Sequence, residues 1–443
     1  ARSLGGRRLG WFALIALTFL RWHLQFSRLV FRTVLVPFVL VYLFYFLIRA
    51  LREGRRRNAV VAGIFAGLGF YTYLAYYFAL PVVASLFLLE FLARRREISS
   101  SNSTLKIQNS KLSFYLIVSA LAVALPMIIH YLRFPEHLTG RPEEVSLFKE
   151  GFVSGLRAIA GNAVQVAAMF TFVGDHVSKH NIPLRPVFDP VSSFFFYLGL
   201  VVCLVRSRRD PRSLFIPLWL FFLLLPSVFS FGAPNLLRTL GAAPAAALLF
   251  AQGLVSFSEF LKRWVAPRTA LTLAVLCLAM FGLIEAKAFF VDWARAPSTW
   301  SGFNGPWCDV ARFVRAQSPD RAIVYLPGDM AAHESVRFIL LPWGGDARSF
   351  GNDGSPLAAD APTTSPETIN ARPPRAHLVI ATAYNPLTAG LARHFPKAAI
   401  LHEFKSPEAN NTWALAVLIP AQDLLSPADA RRIWTAEGYL PDR

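Results

Sequence analysis

Between Arg21 and Arg32 the chain sets three arginines, Arg21, Arg28 and Arg32, and one histidine, His23, within twelve residues (RWHLQFSRLVFR), flanked by apolar runs at Leu9–Leu20 and Thr33–Ile48. Cations placed between two membrane-length runs belong at a bilayer surface, where phosphate and carbohydrate groups are met. On a helix, Arg21 and Arg28 share a face seven residues apart, and Arg28 and Arg32 form an i,i+4 pair. Two guanidinia on one face can clamp a phosphate or pyrophosphate with paired hydrogen bonds. His23 suits a proton donor or phosphate ligand, or an interfacial imidazole held by a neighbour. The plainer reading of the whole stretch is a loop whose arginines meet lipid headgroups.

Three further groups of polar residues could join that surface. Tyr71 and Tyr73, in Tyr71-Thr72-Tyr73 ahead of Tyr76-Tyr77, offer aromatic faces that stack on sugars, or simply an interfacial aromatic belt. Gly174-Asp175-His176 is followed by Asn181, Pro183, Arg185, Pro186, Asp189 and Pro190. There the prolines fix a loop, while Asp175, Asn181 and Arg185 could meet sugar or acceptor hydroxyls. The same Asx side chains also cap turns. Arg238, in PNLLRT before Pro244, completes the candidate phosphate ligands, with snorkelling as its alternative.

The elements that must position these residues are membrane spans. The 443 residues are 54% hydrophobic and 16% charged, with 39 Phe and 10 Trp, a composition foreign to soluble proteins of this size. Nine apolar runs can be marked, at Leu9–Leu20, Thr33–Ile48, Ala59–Leu74, Tyr77–Leu92, Leu112–Tyr131, Ser192–Val205, Ser213–Phe231, Thr239–Phe257 and Thr269–Ile284, several of them short for an upright span. Connections 1–8, 49–58, 94–111, 206–212 and 260–268 carry 20 Lys and Arg, against 4 in 21–32, 75–76 and 232–238. The positive-inside bias therefore puts the first set in the cytoplasm, and 21–32, loop 132–191 and the C-terminal region outside it. The net charge of +18 is spent on this asymmetry, which argues against nucleic-acid binding. Cys203, Cys277 and Cys308 offer neither a disulfide framework nor metal-ligand spacing.

Within loop 132–191, Gly155–Phe172 has the spacing of an amphipathic interfacial helix. Glu97–Lys111 is Ser- and Asn-rich and reads as a flexible linker. Gly67-Leu68-Gly69 reads as a close helix contact. From about residue 288 the composition changes. Arg321–Pro327, His377–Ala383, Ala398–Phe404 and Trp413–Pro420 read as strands, Pro306–Gln317, Ala331–Leu341 and Pro386–Phe395 as helices, and Trp343–Arg375 as a long loop. The expected organisation is a polytopic helical membrane bundle over 1–287 and an extracytoplasmic α/β domain over 288–443. Nucleotide-binding, hydrolase-elbow and zincin motifs are missing. Acidic and lysine residues are nearly missing from mid-span, which counts against a pump.

RWHLQFSRLVFR after a short span, GLGFYTY, GDHVSKHNIPLRPVFDP before a span, and PNLLRTLGAAPAAALLFAQGL together resemble the bacterial family 39 glycosyltransferases of the GT-C class, relatives of protein O-mannosyltransferases and of the lipid A aminoarabinose transferase. The resemblance covers about residues 1–290. It implies a multi-pass protein of the bacterial cytoplasmic membrane. Such a protein transfers a sugar, with inversion, from a polyprenyl-phosphate carrier onto a glycan, lipid or protein acceptor outside the cytoplasm, without a metal or other cofactor. It also implies a carboxylate base in a first outer loop, and outer arginines or lysines that steady the leaving phosphate. ARSLGGRR at Ala1 reads as the interior of a longer protein, so that base is expected upstream, and Asp175 does not inherit its role. Tyr76-Tyr77 departs from the arginine that many relatives carry there. Two other classes remain: a non-catalytic anchor or assembly factor whose α/β domain binds a partner, and a lipid or polysaccharide transporter.

Overall fold

A computed structural model describes residues 2–29, 31–97, 103–137, 140, 146–149, 151–350, 375–382, 394–395, 397–407 and 411–436. It divides into two compact units, residues 1–295 and 296–443.

The first unit is helical. Its elements are α1 (Arg2–Phe19), α2 (Arg21–Arg28), α3 (Leu35–Glu53), α4 (Arg56–Gly69), α5 (Ala79–Glu97), α6 (Ser103–Arg133), α7 (Phe152–Ala168), α8 (Pro190–Ser207), α9 (Phe215–Val228), α10 (Ala243–Leu261) and α11 (Pro267–Lys287). Each of the nine apolar runs is a helix. Among the described residues seven segments are long and apolar enough to cross a membrane: Arg32–Glu53, Leu74–Arg96, Lys111–Arg133, Pro190–Ser207, Pro211–Val228, Leu240–Leu261 and Pro267–Trp293. Helices α1 and α4 fall short. The 14 residues of α4 reach about 21 Å at 1.5 Å per residue, and α1 is broken at Gly5-Gly6, where Gly6 takes φ 84°.

Helix α10 is the most enclosed of the seven, because its sequence APAAALLFAQG lets neighbours come close. Gly199 of α8 and Gly253 of α10 face each other's helices so tightly that an added Cβ would lie 1.8 Å from the Leu249 carbonyl oxygen and 1.9 Å from that of Phe195, respectively. Small residues at such crossings let backbones touch and supply the dispersion contacts that hold helices together in lipid. Gly67 meets α6 the same way, 2.6 Å from the Ala120 carbonyl oxygen. Replacing Gly253 with leucine is therefore expected to destabilise the unit at the upper end of the ~1–3 kcal/mol overpacking range, because the obstacle is backbone and cannot rotate away. A fall in the thermal midpoint of the detergent-solubilised protein, absent for the exposed Leu283→Ala, checks this. Around the crossing, Phe170, Phe188, Phe196, Phe250 and Phe281 form a ring stack with neighbouring centroids 4.7–6.5 Å apart.

At the basic-turn end of the bundle, Glu90 on α5 takes Arg94 at 2.6 Å and Arg212 at 2.9 Å, joining α5 to the turn that leads into α9. Residues 103–111, read from sequence as linker, belong to α6; residues 98–102 lie outside the described set. Ser and Asn lower helix propensity only slightly, and the apolar run beyond them carries the helix on.

The second unit holds a five-stranded sheet of order β2-β1-β3-β5-β4, from β1 (Ala322–Pro327), β2 (Ala347–Phe350), β3 (Ala376–Thr382), β4 (Ala399–Lys405) and β5 (Thr412–Ile419). The first three run parallel, while β5 and β4 pair antiparallel. Alternation divides β1 between two cores. Val324 and Leu326 pack with Val310, Ala311 and Val314 of the helix Gly305–Arg315; Ile323 and Tyr325 pack with Val417 and Ala430 on the other face. Two expectations need correction. Residues 347–350, placed in a loop, form the edge strand β2. The helix read over 331–341 is two, one ending at Ala332 and the next starting at Glu334, because the extended His333 caps the second through Nδ1. The helix read over 386–395 and most of the loop read over 343–375 lie outside the described residues.

Candidate functional site

At the end of the bundle that carries α2, four segments far apart in sequence are tied into one polar knot: α2 itself, the loop 174–189 ahead of α8, the turn 230–238 ahead of α10, and residues 285–293 at the end of α11.

Arg21 is its buried centre, 2% exposed. Its backbone N–H donates to Glu285 Oε2 at 2.8 Å, its Nε lies 3.7 Å from the same oxygen, Nη2 donates to the Pro186 carbonyl at 2.8 Å, and Nη1 donates to Asn181 Oδ1. Asn181 turns its amide nitrogen to the carbonyls of Asp175 (3.0 Å) and Arg185 (2.7 Å). Asp175, fully buried, accepts from Val177 N through Oδ1 and from Leu236 N and His180 Nδ1 through Oδ2, at 2.8, 2.8 and 3.1 Å. Trp22 Nε1 donates to the Leu236 carbonyl, Gln25 Nε2 to that of Lys179, and Trp293 Nε1 to that of Ser178, at 2.8–3.0 Å. Loop 174–189 is thus pinned by hydrogen bonds from three directions, which is how an irregular segment can stay rigid beside a membrane. Gly174 is required there, since a Cβ would lie 1.9 Å from the Arg185 carbonyl oxygen.

This geometry redistributes the candidate residues. Arg21 is spent on its neighbours and is no open phosphate ligand. The Arg28–Arg32 helical pair does not form, because α2 ends at Arg28, Leu29 and Phe31 are extended, and Arg32 opens the turn into α3. Asp175 and Asn181 have their polar atoms occupied by protein, so the hydroxyl-binding role gives way to turn-making; the Asp175 to Val177 contact is an Asx-turn bond. Arg185 pairs with Asp292 at 3.3 Å, and Lys287 shares that carboxylate at 2.6 Å. Tyr71 is exposed and donates to the Val123 carbonyl at 2.9 Å; Tyr73 is half-buried against the main core.

Three cations keep freedom. Arg28 is exposed, with its guanidinium 5.9 Å from the Phe290 ring. Arg32 is exposed and has no carboxylate partner among the described residues. Arg238 is half-buried and aimed through Nη1 at Ser230 Oγ (2.6 Å) and the Phe231 carbonyl, while its Nε and Nη2 have no protein acceptor among the described residues. No protein-family model matches this chain, and no curated protein sequence is similar to it. Among the described residues no three His, Cys, Asp or Glu side chains come close enough to share a metal ion.

Burial holds the His23 imidazole below its ordinary value, and the Leu17 carbonyl, which favours the protonated ring, offsets only part of that. The sign follows: the unfolded chain takes up the proton more readily, so His23 weakens the fold as pH falls through the unfolded value near 6.5. Unfolding midpoints from pH 8 to 5 should drop less for His23→Gln than for the parent.

Sequence reasoning missed Glu285 and His180 as members of the knot. Nothing local in the sequence points Glu285 at Arg21, 264 residues away.

On the same side, α4, α5 and α6 enclose an apolar groove of about 650 Å³, lined by Phe70, Tyr76, Tyr77, Val83, Leu121 and Tyr131 among others. A second, of about 750 Å³, lies between α1, α3, α9 and α10, with Arg7, Trp11, Tyr45 and Trp219 in its wall.

Proposed function

We propose that the helical unit is a membrane glycosyltransferase of the polyprenyl-phosphate-dependent type, its α2 end facing away from the cytoplasm of a bacterial inner membrane. The observation that carries this reading is the rigid polar knot that presents Arg28, Arg32 and the open edge of Arg238 without carboxylate partners at the end of an apolar bundle. Guanidinia without carboxylate partners beside apolar helices attract an anionic amphiphile, and their planar donors match phosphoryl oxygens. Apolar grooves among the helices offer room for an isoprenoid chain. The sequence resemblance to GT-C enzymes names the chemistry: a sugar leaves the carrier, and charge accumulates on the phosphate the arginines hold. Arg21 then serves by fixing α2, so that Arg28 is correctly aimed.

The test is to reconstitute the full-length enzyme, carrying the expected upstream base, in proteoliposomes with a polyprenyl-phosphate-linked sugar and follow the products. Sugar transferred with release of free polyprenyl phosphate supports the reading. Movement of intact lipid without release would mark a transporter, and no turnover with retained partner binding an anchor.

A further inference from the structure

Beside the arginines lies a pair with no part yet in holding the phosphate. His180 Nδ1 sits 3.1 Å from Asp175 Oδ2, with the carboxylate wholly buried and the imidazole side chain 11% exposed. Asp175 is held in turn by two backbone N–H groups, so it cannot swing away from the ring. The ring also packs in a triangle with Phe26 and Phe31, at centroid distances of 5.4 and 6.3 Å, the two phenyl rings being 6.2 Å apart. One ring nitrogen is thus fixed by a carboxylate, which places a proton on Nδ1 and leaves Nε2 as the nitrogen that can exchange one with a ligand, while Nε2 has no protein partner among the described residues. On α2, the buried Gln25 Oε1 also lacks a donor, although its Nε2 bonds the Lys179 carbonyl next to His180. A partly exposed imidazole nitrogen without a protein partner marks a place for a ligand oxygen.

On the basis of the proposed transfer reaction, we infer that His180 is the acid that protonates the departing phosphate and that Asp175 is its positioning residue. As the acceptor oxygen bonds to the anomeric carbon, the bond from that carbon to the phosphate oxygen breaks. Its electron pair stays on the phosphate oxygen, which takes the proton from His180 Nε2. The acceptor's own hydroxyl proton passes to a carboxylate base or water, and solvent returns a proton to His180. Arg28 and Arg32 lie close along the chain to Phe26 and Phe31, the rings that touch His180, which suits the phosphate end of the donor rather than the acceptor end.

The experiment compares His180→Asn and His180→Gln with the parent in the proteoliposome transfer assay across pH 5.5–9. Asparagine keeps a donor where Nδ1 stands and so preserves the bond to Asp175; glutamine keeps a donor where Nε2 stands; neither can give up a proton. Both are expected to lower kcat about 100-fold, in the general-acid range, with KM little changed, and to abolish the parent's decline in kcat at alkaline pH. Parent-like pH dependence in a folded His180→Asn enzyme that still transfers sugar overturns the inference alone. A parent that transfers no sugar at any pH overturns the proposed function, and this inference with it.

Discussion

Replacing Glu285 with glutamine is expected to destabilise the helical unit by about 3–5 kcal/mol, the usual consequence of leaving one member of a buried ion pair without its partner. Arg21 and Glu285 each keep 2% of their side-chain surface, so water cannot rescue the abandoned guanidinium. Glutamine retains the shape and can still accept from the Arg21 N–H, which isolates the charge from the packing. The loss should appear as a lower midpoint in denaturant or thermal unfolding of the purified protein. The double replacement Arg21→Met with Glu285→Leu should not recover it, since an apolar pair leaves the residue-21 N–H, Asn181 Oδ1 and the Pro186 carbonyl without partners. An unchanged midpoint for Glu285→Gln would mean that the pair does not hold α2 to α11.

The second large effect concerns the proposed sugar transfer. Arg28→Ala and Arg238→Ala should each reduce sugar transfer about 100- to 1000-fold, the range seen when one donor to a developing oxyanion is removed. Their side effects should differ. Arg28 is exposed and lies over the Phe290 ring, so its loss should leave unfolding nearly unchanged. Arg238 also anchors the Ser230–Phe231 turn, so its removal should cost about 1 kcal/mol of stability as well, and rates must be normalised to folded protein. Arg28→Lys keeps the charge but loses the planar fork and should recover only part of the rate. Equal transfer by Arg28→Ala and the parent would remove Arg28 from the phosphate site.

Helices and most strands were legible because their signals are local. Runs such as Ser213–Phe231 are apolar throughout, and the unbroken apolar stretch AIVYL announces a strand buried on both faces. The edge strand at 347–350 was not legible, since four residues of mixed polarity carry little periodicity and depend on pairing with β1. The site was legible in outline only. Arg21, Asp175 and Asn181 are brought together, yet against one another rather than toward a ligand. Residue type tells that a side chain can bond but not to what. The partner of Arg21 came from the far end of α11, and the role of Asp175 was set by the backbone of Leu236 and the ring of His180. Buried charge is satisfied through tertiary contacts, which spacing along the chain does not encode. Arg28 and Arg238 keep their candidacy because their surroundings leave donors unspent.

The central claim is that the knot exists to present those donors to a phosphorylated isoprenoid. Saturation binding of polyprenyl monophosphate to the full chain, held in nanodiscs of zwitterionic lipid, tests it most directly. The account predicts saturable binding that weakens at least about 100-fold in the Arg28→Ala, Arg238→Ala double variant, as two charge-assisted contacts of ~1.5–3 kcal/mol each would require, with polyprenol lacking the phosphate binding poorly to both. Equal affinity of parent and double variant, or equal binding of polyprenol and its phosphate, would contradict it.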